Sequence, residues 1–414
     1  MSSTAPAAQP VDPAGTRVIV LVGIAHSVSH FFHLILPPLF PWLKEAFDLT
    51  YSELGLLMTV FFVISGIGQS LAGFLVDRIG PVPVMLGAIG LFALSAAVLA
   101  VAPGYSGLML GAALAGAGNA SFHPVDYSII NHRVPGRSLG RAYAAHGISG
   151  SLGWALAPVF VVTIAQLAGW REAFAASSLL ALVVLAIVWI NRAVLDMPVQ
   201  RTAGAGATAH GPAGSMFGFL RLPAVWLSFA FFLAYAVALG AIQSFAPEAA
   251  RLLHAVPLEW AALCLTVYML ASAAGTLAGG FLAGDAARAE RVIGVCFGGA
   301  ALVASSIALL PWPGWAIPLL FGVIGVAGGI ASPARNLLIK RAAPPGATGR
   351  VYGVVYSGLD VGMSVAPPLF GLLMDANAPA LVWLGIALAQ ATLIVGAFRA
   401  GHATRARDAA PDAV

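Results

Sequence analysis

The chain is divided into apolar runs of about 20–25 residues, and this pattern restricts its fold more than any other feature. At 1.5 Å of rise per residue, a helical run of that length crosses a hydrocarbon core about 30 Å thick. Backbone groups inside such a core must be satisfied internally, so only helices or a closed barrel can span it. A barrel would alternate apolar and polar residues in segments of about ten, and the runs here do not alternate. Composition agrees with helices. Of 414 residues, 60% are hydrophobic and 9% charged, with a mean hydropathy of +0.92. A soluble domain carries about a quarter charged residues. Gly (47) and Pro (27) are frequent within the runs, as packed membrane helices tolerate.

Spans are expected at 17–41, 52–76, 82–102, 106–130, 139–167 and 172–195, and again at 223–246, 258–283, 291–310, 315–340, 349–374 and 379–399. The chain therefore reads as an all-α membrane protein with twelve transmembrane helices in two pseudo-symmetric six-helix bundles. These are residues 1–195 and 223–414, the second with a short cytoplasmic tail. The stretch 196–222, rich in Ala and Gly and holding Pro198 and Pro212, reads as a cytoplasmic linker. Residues 1–15 carry no Lys or Arg, and no small-residue cleavage site follows the first run, so that run is expected to stay as a span.

Basic residues give the orientation. With the N-terminus cytoplasmic, inside segments hold sixteen of the twenty Lys and Arg, outside loops hold Lys44, Arg171 and Arg251, and Arg335 lies within a span. Positive charge collects on the cytoplasmic side, so both termini are expected there, in a bacterial inner membrane. The net charge of +4 is then loop bias, not a nucleic-acid surface. Cys264 and Cys296 fall inside spans and suggest neither a disulfide framework nor a thiolate metal site.

The two halves repeat at an offset of 209 residues. Pro124 matches Pro333 and Pro135 matches Pro344. Gly140, Arg141 and Tyr143 match Gly349, Arg350 and Tyr352. Gly153 matches Gly362, and Ala157–Pro158 matches Ala366–Pro367. An even number of spans separates the copies, so they share orientation and are related by an axis along the membrane normal.

The loop after the second span, Gly73-Phe74-Leu75-Val76-Asp77-Arg78-Ile79-Gly80, resembles the G-x-L-x-D-R-x-G signature of the major facilitator superfamily. Gly73 would admit a close helix, and Asp77 would accept bonds at a neighbouring helix N-terminus. The basic pair that usually follows is replaced by Pro81-Val82-Pro83. In the second half, Phe281 to Asp285 keeps the acid but not the glycine. The stretch His26 to Pro41, the stretch LTYSELGLLMTVFFVISGIGQSLAGFLVDR from Leu49, and GNASFHP ending at Pro124 resemble the fosmidomycin-resistance group. That resemblance implies export of a small compound. The sequence departs from the group at His30, where an acid is usual. It also departs from drug–proton antiporters at Ala112, near which an Arg is usual, and span five matches their glycine–proline pattern only in part.

Ionisable groups at membrane depth cost at least ~2.5–3.5 kcal/mol on insertion scales, which makes each a functional candidate. Asp126 lies late in span four, Arg335 late in span ten and Asp360 near the middle of span eleven. Asp126 and Arg335 are 209 apart and of opposite charge, so they are expected to form a gating ion pair in the outward-open state that breaks in the inward-open state. His26, His30 and His33 fall at i, i+4 and i+7, one helix face, with His123 and His146 in the same half. Resemblance puts spans one and four along a central cavity, where His26, His30, His33, His123 and Asp360 would bind substrate or couple protons. Helix-to-helix hydrogen bonding is the alternative for each histidine. No metal site is expected, because no Cys joins the histidines and Asp126 is the nearby acid in that half.

No phosphate loop, nucleophile elbow or HExxH motif occurs. The chain is read as no enzyme and without cofactor. It is expected to be a monomeric secondary transporter in contact with membrane lipid, protons and a small-molecule substrate, and to use no nucleic acid. Proton-coupled export of a small organic or drug-like compound comes first. The alternatives are proton-coupled uptake of a small organic anion through Arg335, divalent-metal transport through the histidines, and a non-transporting membrane receptor.

Overall fold

The computed structural model describes residues 13–197, 223–282, 286–342 and 348–409. Of the expected linker at 196–222, all but Asp196 and Met197 lies outside them. The first half runs α1 (Pro13–His33), α2 (Phe40–Phe47), α3 (Tyr51–Ile79), α4 (Pro81–Ala100), α5 (Tyr105–Asn119), α6 (Phe122–Arg133), α7 (Leu139–Leu167), α8 (Trp170–Ile190) and α9 (Arg192–Leu195). The second runs α10 (Pro223–Ser244), α11 (Ala246–His254), α12 (Leu258–Leu282), α13 (Ala286–Leu309), α14 (Ile317–Ala342), α15 (Thr348–Asp375) and α16 (Pro379–Ala409). No strand occurs among the described residues.

The repeat seen in sequence is a repeat of elements. α7 and α15 begin at Leu139 and Thr348, and α8 and α16 begin at Trp170 and Pro379; each pair is 209 residues apart. The short helices α2 and α11 both follow a first span and both end on a left-handed residue, Asp48 (φ 51°) and Ala255 (φ 49°). Proline sets these joints. Pro37 and Pro38 follow the end of α1, and Pro247 sits in the first turn of α11. A proline lacks the N–H that would continue a helix and disfavours helical backbone just before it. The start of α3 is fixed by a capping box, with Thr50 and Glu53 each bonding the other's backbone N–H.

Eleven helices among the described residues are long and apolar enough to cross a membrane. The expected crossing at 106–130 is the exception. It is made of α5, of 15 residues, and α6, of 12, in tandem with a joint at Ala120–Ser121. Pro124, in the first turn of α6, has no N–H to bond back to residue 120, so the ladder is interrupted there.

The halves meet at one end of the molecule. Asp375, at the end of α15, accepts hydrogen bonds from the backbone N–H of Tyr51 (2.7 Å) and Ser52 (2.9 Å) and from the Ser52 hydroxyl. A carboxylate from one half thus caps the N-terminus of α3 in the other, where the helix dipole favours negative charge. Tyr51 donates to Glu248 (3.1 Å), which is held by Arg251 at 2.7 and 2.8 Å. Small residues let α3 and α15 touch: a Cβ on Gly55 would come within 2.6 Å of the Pro367 backbone, and one on Gly371 within 2.6 Å of the Tyr51 carbonyl. Further along, Thr59 donates to the Ser364 carbonyl (2.6 Å), and Thr266 of α12 donates to the Ala155 carbonyl of α7 (2.8 Å). These contacts run from the Asp375 end to the level of Gly66 and Asp360. Beyond it, Gly73, Gly147 and Gly280 have open space where a Cβ would go. Among the described residues the protein is therefore closed at the Tyr51–Asp375 end and open around Gly73, Gly147 and Gly280 toward the other.

Candidate functional site

A close crossing of α1 and α7 builds the site. A Cβ on Gly150 would come within 2.7 Å of the His30 ring and 3.0 Å of His26 Nε2, and one on Gly153 would strike the Ser27 carbonyl. With glycine at both positions the two backbones draw together, and the rings of His26 and His146 stack at 3.6 Å. α6 supplies the acid. Asp126 is fully buried, and its Oδ2 accepts a hydrogen bond from His146 Nε2 at 2.9 Å. His26 Nδ1 approaches the same oxygen to 2.9 Å at a poorer angle, and Oδ1 has no hydrogen-bond partner among the described residues. His123, one turn before Asp126 on α6, is exposed, with its ring 5.7 Å from His26 and 6.3 Å from His146. A histidine exposed beside a buried cluster deep in a bundle faces the cleft between the halves.

The other two histidines of α1 continue away from this cluster. His30 lies 4.4 Å from His26 and packs on Trp154 at 4.2 Å. His33 Nε2 sits 2.8 Å from Asn119 Oδ1, which also accepts from Ser29 (2.7 Å), while Asn119 Nδ2 donates to Ser65 (2.7 Å). The joint between α5 and α6 follows Asn119 directly. His26, itself buried, thus lies beside His30 and His123, whereas His33 is tied into an interhelix hydrogen-bond network.

The second half presents a different chemistry. Arg335 of α14 lies over the rings of Tyr235 (4.3 Å) and Phe232 (5.0 Å) of α10. Its Nη2 is 3.4 Å from the Ser332 hydroxyl, and Nε and Nη1 are buried without a hydrogen-bond partner among the described residues. Asp360 is half-buried in mid-α15, with its carboxyl against Gly66 of α3. No charged group among the described residues acts on it. α10, which also packs on α15, carries no charged residue, and the nearest on α3, Asp77, is eleven positions from Gly66.

Two sequence expectations depend on conformation. The Asp126–Arg335 pair is expected in the outward-open state alone, and in this conformation Asp126 is engaged with His26 and His146 of its own half. Gly73 has no described residue close to where a Cβ would stand in this conformation. Asp77 and Arg78 are exposed there. Sequence reasoning left His146 unassigned, although the Gly150, Gly153 pair marks the α7 face that meets α1. It missed Asp375 and Glu248, because a helix-end carboxylate carries no signal of which helix start it will reach.

The family model described as Major Facilitator Superfamily matches residues 22–367 and 261–408. The chain is 25% identical over 388 residues to the MFS-type transporter YfnC of Bacillus subtilis (strain 168), spanning 88% of this chain and 89% of the relative. It is 28% identical over 172 residues to the fosmidomycin resistance protein of Escherichia coli (strain K12), spanning 41% of this chain and 42% of that one. It is 30% identical over 149 residues to a probable L-galactonate transporter of the same organism, spanning 36% and 32%. Among solved structures, a bacterial homologue of the human lysosomal transporter Spinster, inward-facing and occupied, superposes with a TM-score of 0.74 at 14% identity over 97% of this chain and 98% of that chain. The nucleoside transporter NupG superposes with a TM-score of 0.74 at 13% identity over 94% and 99%.

Proposed function

The chain belongs to the Major Facilitator Superfamily, and from that premise we propose that it exports a small organic anion in exchange for protons, by alternating access between two rocking halves. The observation that carries the anion is Arg335. A guanidinium at membrane depth with two unpartnered nitrogens and two aromatic faces beneath it is a costly arrangement unless an anion completes it. Arg presents a planar fork suited to carboxylate or phosphonate. A relative whose name specifies L-galactonate fits this chemistry, and one named for fosmidomycin resistance fits the outward direction.

Asp360 is the residue proposed to carry the coupling proton. It is a carboxyl with no charge partner at the level where the halves part, so it changes from buried to wetted as they rock. With both termini cytoplasmic, as the basic residues favour, the parted end faces the cytoplasm and the structure is inward-open. The test uses purified protein in liposomes with a panel of carboxylates and phosphonates, read by thermal shift and then by transport. Arg335→Ala should abolish the shift given by the accepted anion. A neutral or cationic compound transported equally by wild type and Arg335→Ala would overturn the anion reading.

A further inference from the structure

We propose that His26, His123, His146 and Asp126 form a binding site for one divalent first-row transition-metal ion of the zinc, cobalt or nickel kind. The sequence argued against such a site because no Cys joins the histidines and Asp126 is the one nearby acid in that half. Folding brings that acid onto two of them: Asp126 Oδ2 lies 2.9 Å from both His26 Nδ1 and His146 Nε2. The three histidines each offer a ring nitrogen within 4.8 Å of the others. Metal–nitrogen bonds of about 2.0–2.1 Å and metal–carboxylate bonds of about 2.0–2.2 Å place two ligands on one ion at most ~4 Å apart. Asp126 Oδ2 already meets that limit with His26 and with His146. Closing on one ion requires the stacked His26 and His146 rings, 3.6 Å apart, to fan out and the exposed His123 to swing inward. Three imidazoles and one carboxylate make a donor set for borderline transition ions, not for calcium or magnesium, which take oxygen. The free Oδ1 of Asp126 allows the carboxylate to bind through either or both oxygens.

The supports around the ligands point the same way. Glycines at 150 and 153 hold α7 against α1, so His26 and His146 are brought side by side by backbone packing. His123 at the cleft supplies an entry path. All four ligands come from α1, α6 and α7, within one half. Cargo sites in such folds lie between the repeats, so the ion is read as resident in the first half and not as what is transported. The equivalent of Asp126 in the second half is Arg335, which excludes a second copy of the site.

The experiment uses the full chain, purified without a polyhistidine tag and with no substrate or gradient, titrated calorimetrically with Zn²⁺ and with Co²⁺. Its outcome is therefore separate from that of the transport reading. One ion per chain with a dissociation constant of ten micromolar or tighter is expected, and Co²⁺ should show the intense visible bands of a four-coordinate ion. His123→Ala, chosen because the residue is exposed, should weaken binding at least ~10-fold, as should Asp126→Asn. His132→Ala, exposed at the end of α6 outside the cluster, should bind as wild type. Failure of the wild type to bind either ion in this range overturns the site, and so does binding that His123→Ala and Asp126→Asn both leave unchanged.

Discussion

Asp126 and Arg335 occupy equivalent positions in the two halves and have opposite surroundings. The acid is enclosed by two imidazoles of its own half, whereas the guanidinium rests on aromatic rings with two nitrogens unpartnered among the described residues. Hydrogen bonds to charged groups contribute about 1.5–3 kcal/mol each. Arg335→Ala should therefore weaken binding of the transported anion by about tenfold to a hundredfold, with Arg335→Lys intermediate because it keeps charge but loses the fork. Equilibrium binding of labelled substrate to protein in detergent checks this. Asp360→Asn should separate two activities. Exchange of substrate across the membrane with no proton gradient should persist, and accumulation driven by a pH gradient should vanish. Wild-type accumulation in that variant would remove Asp360 from the coupling role.

At the scale of elements, the α1–α7 crossing depends on two glycines. A methyl group at Gly153 meets the Ser27 carbonyl, so the helices must part or the chain must strain. Overpacking of this kind costs about 1–3 kcal/mol. Gly153→Ala should lower the melting temperature by several degrees, and spreading α1 from α7 should also pull His146 from His26. Gly147→Ala, on the same helix with open space at its Cβ, is the matched control and should melt as wild type. A Gly153→Ala protein as stable as the Gly147→Ala control would show that the crossing tolerates more than its geometry suggests.

For the whole molecule, the closed end is held by a few polar contacts between halves. Asp375 caps α3 across that interface, and the cap exists only while that end is shut. Any stabilisation it gives belongs to the conformation shut at that end, so removing it shifts the balance toward a conformation open there. Asp375→Ala forfeits two charge-assisted backbone bonds, together about 3 kcal/mol or more at ~1.5–3 kcal/mol each. Spin labels at Tyr143→Cys on α7 and Leu277→Cys on α12, both exposed toward the parted end, should report a shorter distance population in the Asp375→Ala background. An unchanged distribution would mean that other contacts hold the closed end. Membrane orientation has its own check: single cysteines replacing Lys44 and Arg405 should label from opposite sides of the membrane.

Membrane spans, the 209-residue repeat and the family were legible in the sequence because each is a one-dimensional property. A hydrocarbon core reads the length and polarity of consecutive residues, and duplication leaves matching residues at a fixed offset. The face shared by His26, His30 and His33 was legible too, since helical periodicity fixes it. What tertiary structure decided was partnership. Asp126 meets His26 and His146 because two glycines on α7 allow a backbone approach that no hydropathy pattern encodes. The fourth crossing was broken where a proline removes a single hydrogen bond. Asp375 found the start of α3 only because the halves close at that end. Pairing of this sort depends on distances between residues remote in the chain, and those are set by packing, not by local composition.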